Sequence, residues 1–348
     1  MRKRLVVCCD GTWNTADQPS PTNVCKLRDA VRPGLLDDGV EQRVYYDAGV
    51  GTGTFDRVLG GAFGVGLSRN VKQAYMFLVE HFDPGDELFL FGFSRGAYTV
   101  RSVVGLARNV GILRRGFESK LDVAYDLYRD RNRSTHPRGE EARLFRESFS
   151  HDTRVACLGV WDTVGALGIP VDVPGLHLVN DYFKFHDVRL STHVDHAVQA
   201  LAIDEQRKPF APALWEQQPE GRGRQTLEQV WFAGVHTDVG GGYPESGLSD
   251  ITLRWMLARA AACGLGLSAP RLEPDFRAPL HDSVTWYYRA FGRFARPIGA
   301  PRVDERGVPL ETHEAAADTA VARLGAVSGY GPASLRRWVE AGGKQVST

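Results

Sequence analysis

Between Phe89 and Arg108 the chain reads FLFGFSRGAYTVRSVVGLAR, with Ser94 between Gly92 and Gly96. A serine hydroxyl is a weak nucleophile until a base takes its proton, and that base needs a carboxylate to orient it. Gly-x-Ser-x-Gly between a strand and a helix is the pattern of a nucleophile elbow, a turn so sharp that side chains at the flanking positions would collide; glycine at 92 and 96 removes the conflict. Ser94 would then project at a helix N-terminus, where the dipole and the backbone N–H groups favour developing negative charge. The chemistry implied is attack on an acyl carbonyl through a covalent acyl-enzyme. The bland alternative, a Gly-Phe-Ser-Arg-Gly turn with no chemistry, leaves the strand before it and the helix after it as coincidence.

The base and its carboxylate should follow in the order Ser, Asp or Glu, His. CLGVWDTVG places Asp162 where a buried strand exits, and VWFAGVHTDVGGGY places His236 at another exit, followed by glycines. Asp204, at the end of an apolar segment, is the rival carboxylate. His193 and His196 lie in STHVDHAVQALAIDE, which reads as helical and so is a poor place for a crevice base. Asp238 follows His236 too closely to face it simply and is better read as holding the glycine turn. Arg95, just after the serine, would supply one oxyanion N–H. The other belongs to the loop after the strand two before the elbow strand, Asp10-Gly11-Thr12-Trp13-Asn14, where Gly11 or Thr12 is the candidate donor. A carboxylate at Asp10 would repel an oxyanion, so Asp10 is read as a turn-former, as an acceptor of N–H bonds that locks the loop, or as a partner of Arg95.

These residues need strands to carry them. Arg4–Cys9 reads as a buried strand, Thr22–Val31 as a helix with Thr22 as N-cap, and Arg43–Gly51 as a strand. Ser68–Phe82 is an amphipathic helix stopped by Pro84-Gly85, Glu87–Phe93 the next strand, and the helix after Ser94 completes a threefold alternation. That pattern implies a mostly parallel sheet with helices on both faces, whose ligands sit beyond the C-terminal strand ends. Polar helical segments follow around KLDVAYDLYRDR and EEARLFRESF. Buried strands are expected within Val155–Gly168 and Leu227–Tyr243, a helix at Leu248–Gly264, and a short helix near Ser334–Ala341. With no internal repeat or low-complexity linker, the expected organisation is one domain over 1–348, a core of about 4–264 and a C-terminal helical or irregular elaboration over 265–348.

Composition narrows the function. Lys+Arg and Asp+Glu both number 42, so no basic excess favours nucleic acid. Five cysteines, an odd number with no CxxC spacing, suit a reduced compartment and no zinc site. The apolar part of MRKRLVVCCDGTWN is too short for a signal peptide, and VLGGAFGVGL is about half of the ~20 residues a spanning helix needs. A soluble cytoplasmic protein is expected, with leaderless export left open. No cofactor is called for: Gly49-Val-Gly-Thr-Gly-Thr is only a partial dinucleotide motif, and GxxxxGK[ST] is absent. Two rival functions stay open. Asp10, Asp162, His236 and Asp238 at strand ends could converge on a divalent ion in a phosphohydrolase, although that leaves the elbow unexplained. A non-catalytic binding module would use GVGTGTF and GGAFGVGLS as flexible surfaces meeting a partner or a lipid.

Five blocks in order, CDGTWN, GFSRGAYTVRSVVGL, VWDTVGALG, HAVQALAIDEQRKPFAPALW and VWFAGVHTDVGGGYPESGLSDITLRWM, resemble one family. It is the family of α/β hydrolases, long known as a domain of unknown function, that includes the catalytic domains of one class of type VI secretion phospholipase effectors. The resemblance spans roughly residues 4–300. It implies an α/β-hydrolase fold and a Ser-Asp-His triad on Ser94, Asp162 and His236. It also implies hydrolysis of lipid-like esters, phospholipids especially, with transient contact to a membrane surface. At 348 residues the chain is expected to lack the large membrane-docking module those effectors carry. The ester cut, the acyl position preferred and the oligomeric state stay open.

Overall fold

All seven residues of the first strand, β1 (Lys3–Cys9), are buried, and its five apolar residues alternate between two cores. Val6 and Cys8 face one side of a sheet; Leu5, Val7 and Cys9 face the other. The period-2 alternation of strand side chains, applied to a strand covered on both faces, explains why β1 reads as an unbroken apolar run. The elbow strand, β4 (Glu87–Phe93), does the same, with Phe89, Phe91 and Phe93 on the first side and Leu88 and Leu90 on the second. The computed structural model describes residues 1–11, 20–49, 60–130, 132–164, 189–284, 292–303 and 307–348.

The remaining elements follow in chain order. Helix α1 (Asn23–Ala30) starts at Thr22, whose Oγ1 accepts the Cys25 N–H, and strands β2 (Gly34–Leu35) and β3 (Glu41–Asp47) follow. Helix α2 (Gly60–His81) precedes β4, and α3 (Arg95–Val110) leaves it. Then come β5 (Ile112–Leu113), α4 (Leu121–Arg129), α5 (Glu140–Phe149), β6 (Ser150–His151) and β7 (Val155–Trp161). Next are β8 (Arg189–Leu190), β9 (Val194–Ala202), β10 (Glu216–Gln217) and β11 (Thr226–Phe232). The last are α6 (His236–Gly240), α7 (Gly247–Ala262), β12 (Glu314–Ala317), α8 (Asp318–Ala326), α9 (Ala333–Glu340) and β13 (Gln345–Val346).

Nine strands form one sheet in the order β13-β12-β11-β9-β7-β4-β1-β3-β2. Every pairing in it is parallel except β2 with β3. Helices α1, α7, α8 and α9 bury apolar residues in the core on one face of the sheet. Helices α2, α3, α4 and α5 do so on the other. This is the mostly parallel sheet with helices on both faces expected from the strand-helix alternation, and it agrees with the α/β-hydrolase fold that the resemblance implies.

Two expectations change. The segment with His193 and His196 is not a helix: it is β9, inserted between β7 and β11. Val194, Ala197, Val198 and Leu201 sit at helical spacing, but a strand buried on both faces is also a continuous apolar run, and spacing does not separate the two. Both histidines lie at the N-terminal end of this strand, opposite the edge where ligands collect. The stretch after 264 is more than helices and irregular chain, because it adds β12 and β13 to the sheet.

Candidate active site

Parallel strands bring their C-terminal ends to one edge. Cys9 pairs with Gly92, Phe93 with Trp161, Trp161 with Ala200, and Ala202 with Phe232. The residues that follow, Asp10, Ser94, Asp162, Asp204-Glu205 and, after a short turn, His236, are therefore neighbours along that edge. Two backbone hydrogen bonds carry the ladder one residue further, Ser94 N–H to the Trp161 carbonyl at 3.1 Å and Asp162 N–H to the Ala200 carbonyl at 2.8 Å.

Ser94 takes φ 57° and ψ −117° at the N-terminus of α3. A side chain at positive φ costs about 1–3 kcal/mol and persists where the surroundings enforce it. Among the described residues three non-glycines have positive φ, and two of them are Ser94 and Asp162 (φ 41°). Both flanking glycines are required by close approach. A Cβ on Gly92 would lie 2.5 Å from the Gly96 carbonyl oxygen, and one on Gly96 would lie 2.0 Å from that of Cys9. The elbow is thus pressed against its own helix and against the end of β1.

Asp162 and His236 are joined. His236 Nδ1 lies 2.6 Å from Asp162 Oδ2, and both side chains are buried. The bond puts the Nδ1 proton toward the carboxylate and leaves Nε2 as the acceptor. The ring is flanked by Phe93, the residue before Ser94, with centroids 4.6 Å apart, and edge-on by Phe210 at 5.0 Å. Burial lowers the pKa of His236 below the ordinary imidazole value, outweighing the Asp162 hydrogen bond and the charges of Asp162 and Glu205. Burial alone would raise Asp162. The Arg296 guanidinium and the His236 hydrogen bond more than reverse this and hold its carboxyl well below the usual range.

The other sequence candidates lie elsewhere in the network. Asp204 Oδ2 accepts the Gly234 N–H at 2.7 Å and the Tyr330 hydroxyl at 3.1 Å, so it ties the His236 loop to the C-terminal region. Asp238 accepts the Val235 N–H at the start of α6 and pairs with His281 Nδ1 at 2.6 Å. Asp10 accepts the hydroxyls of Thr22 and Tyr46 and the Gly11 N–H, the last at 2.7 Å. Its carboxylate turns back over its own loop, so the Gly11 N–H already has an acceptor. Thr12, the other donor expected there, lies outside the described residues. Arg95 opens α3 as its first residue. The glycine-rich surface GVGTGTF and the GGAFGV part of its neighbour likewise lie outside what is described, apart from Gly49 and the helical backbone from residue 60.

Asp10 and Asp238 are drawn into pairings apart from the Asp162–His236 bond, and no group of three or more His, Cys, Asp or Glu side chains placed to hold a metal ion occurs among the described residues. No described helix is long and apolar enough to cross a membrane. A cavity of about 1020 Å³ lies between α2 and α4, lined by residues such as Arg69, Lys72, Phe77 and Tyr125. None of Ser94, Asp162 and His236 lines it.

Two residues of the site carry no signal in the sequence. Glu205, fully buried, accepts the His236 N–H at 3.3 Å and the Ser283 hydroxyl at 2.9 Å, and is gripped by Arg207 at 2.8 and 2.9 Å. Arg296 reaches Asp162 from 134 residues downstream. Glu205 stands in the HAVQALAIDEQRKPFAPALW block without being marked there as a site residue, and Arg296 stands in none of the five blocks; the sheet brings both to the site.

The family described as T6SS, phospholipase effector Tle1-like, catalytic domain matches residues 3–259. The uncharacterized protein YEL023C of Saccharomyces cerevisiae is 28% identical over 239 residues, 62% of this chain and 33% of the yeast protein. An uncharacterized protein from Pseudomonas aeruginosa superposes with a TM-score of 0.48 at 19% identity, over 79% of this chain and 47% of that one. The Tle1 effector, in its structure bound to the VgrG spike of the type 6 secretion system, gives 0.45 at 13% identity over 83% and 78%. The chain thus spans a third of the yeast relative and under half of the Pseudomonas protein.

Proposed function

The chain belongs to the family of Tle1-like phospholipase-effector catalytic domains, and from that premise we propose that it is a serine ester hydrolase acting on lipid-like esters, phospholipids foremost. The observation that carries the reading is the 2.6 Å bond from His236 to Asp162 at the strand edge that also holds the strained Ser94.

In this reading His236 Nε2 takes the Ser94 hydroxyl proton as Oγ attacks the acyl carbonyl carbon. The Arg95 N–H, in the first turn of α3, faces the developing oxyanion. The C–O bond to the alcohol breaks as His236 returns the proton to the leaving oxygen, and the acyl group stays on Ser94. Water, deprotonated by His236, then adds to the acyl carbon and releases the acid. Asp162 stays ionised throughout, holding the Nδ1 proton and stabilising the imidazolium. The odd count of five cysteines without paired spacing is the ground on which we propose a reducing compartment such as the cytoplasm.

Fluorophosphonate labelling tests the reading. The probe should label the native chain on Ser94, and Ser94→Ala should abolish labelling and lower kcat on phospholipid or simple esters by about 10⁴–10⁶. A variant keeping more than about a tenth of wild-type turnover would exclude Ser94 as nucleophile.

A further inference from the structure

Arg296 lies beyond the stretch matched by the family, yet its side chain is fully buried against Asp162. Nη1 donates to Asp162 Oδ1 at 2.6 Å and to the Ala202 carbonyl at 2.8 Å. Nη2 donates to Asp162 Oδ2 at 3.0 Å and to the Phe210 carbonyl at 2.5 Å. Asp162 Oδ1 also accepts the Ala202 N–H at 3.0 Å, while Oδ2 takes His236. The carboxylate is thus clamped by a two-pronged fork that two carbonyls hold in turn. Rotating it away from His236 would break both prongs.

The charges around the imidazole are balanced in the same way. Two carboxylates face His236, Asp162 at its Nδ1 and Glu205 at its backbone N–H, and each carries its own arginine, Arg296 and Arg207 respectively. The ring's other neighbours named above, Phe93 and Phe210, are uncharged. Without Arg296, Arg207 alone would offset two carboxylates, and a protonated ring would be favoured. Buried ion pairs are weak sources of stability, so the fork's value is to be sought in the centre it completes.

We propose that Arg296 is a positioning residue of the hydrolase centre: its fork holds Asp162 turned to His236, and its charge keeps the imidazole neutral and ready to accept a proton. The inference rests on the serine-hydrolase reading.

Two variants test it, Arg296→Met, which removes the charge, and Arg296→Lys, which keeps the charge and loses the fork. The readouts are the pH dependence of kcat/KM on a soluble p-nitrophenyl ester, the rate of fluorophosphonate labelling, and circular dichroism to establish the fold. Arg296→Met should move the acidic midpoint up by about one pH unit and lower kcat. Arg296→Lys should leave the midpoint within about 0.3 unit and lower kcat about tenfold or more through misplacement of Asp162. A folded Arg296→Met with an unmoved midpoint overturns the proposal. Should that variant not fold, Arg296→Lys decides alone: near-wild-type kcat or a shifted midpoint overturns the proposal, and the loss at constant midpoint upholds it. An unlabelled wild-type chain sinks the serine-hydrolase reading and this inference together. A labelled wild type indifferent to Arg296 sinks the inference only.

Discussion

In the proposed mechanism His236 is the base, and its readiness is set by competition. Burial presses its pKa down more strongly than Asp162 and Glu205 raise it. A base acts in its neutral form, so kcat/KM should climb with pH through one group titrating below the free-imidazole value of about 6.5 and be level by neutrality. A midpoint above about 7 would mean that the carboxylates win instead. The two aspartates at neighbouring strand ends should separate cleanly. Asp162→Asn removes the acceptor of the Nδ1 proton and should lower kcat by about 10⁴. Asp204 touches structure rather than the base, and its burial raises its pKa to about 6. A carboxyl raised in the folded state gives stability that is full below its unfolded pKa, near 4, and lost as pH climbs through 6. At pH 7 the ionised group costs about 2–3 kcal/mol. Asp204→Asn keeps an oxygen for Gly234 and Tyr330 without the charge. It should therefore unfold at a higher temperature than wild type at pH 7, match it near pH 4, and keep most activity. Ser94, Asp162 and His236 could be read in order because each stands where an apolar strand ends. Arg296 could not: it stands in GRFARPIGA near Arg293, whose side chain is 58% exposed, and nothing local marks one arginine for burial and the other for solvent.

Among the elements, the elbow is held by backbone rather than by side chains. Gly96 sits where α3 meets the end of β1, and an added methyl would meet the Cys9 and Asp10 carbonyls, neither of which can swing aside as a side chain can. Gly96→Ala should therefore cost about 3 kcal/mol or more and remove labelling of Ser94; a variant that melts with wild type would show that β1 yields more easily than its sheet position suggests. The elements themselves were legible to different degrees. β1, β4 and α3 were plain because turn residues bound them. β9 was not, since a strand with both faces covered and a buried helix share one hydrophobic pattern. β12 is three alanines after a glutamate, a helix-favouring composition; it is a strand because β11 offers a parallel edge and Glu314 accepts the Trp231 indole N–H at 2.8 Å.

At the level of the whole molecule, the C-terminal quarter is part of both the sheet and the centre. The alternation that announced a parallel sheet ends near residue 264. Beyond it, prolines and arginines conceal two more strands, because a strand of four residues is too short to show a period. A chain stopped after Gly264 would lose β12 and β13, expose the edge of β11, and leave Asp162 buried without Arg296. Such a chain should be poorly soluble and unlabelled by fluorophosphonate, whereas residues 1–348 together should be folded and labelled. A soluble, labelled fragment would make the C-terminal region an accessory after all.

The fork on Asp162 also has a consequence in time. A chain emerges from the ribosome N-terminus first, at about 5–20 residues per second. The 134 residues between the carboxylate and its guanidinium then amount to an interval on the order of ten seconds. Ser94 and Asp162 are already made when that interval opens and His236 is made within it, but the charge that lets Asp162 be buried has yet to arrive. The proposed centre therefore closes only after Arg296 has been made, and a chain stopped after residue 264 is a permanent form of that interval.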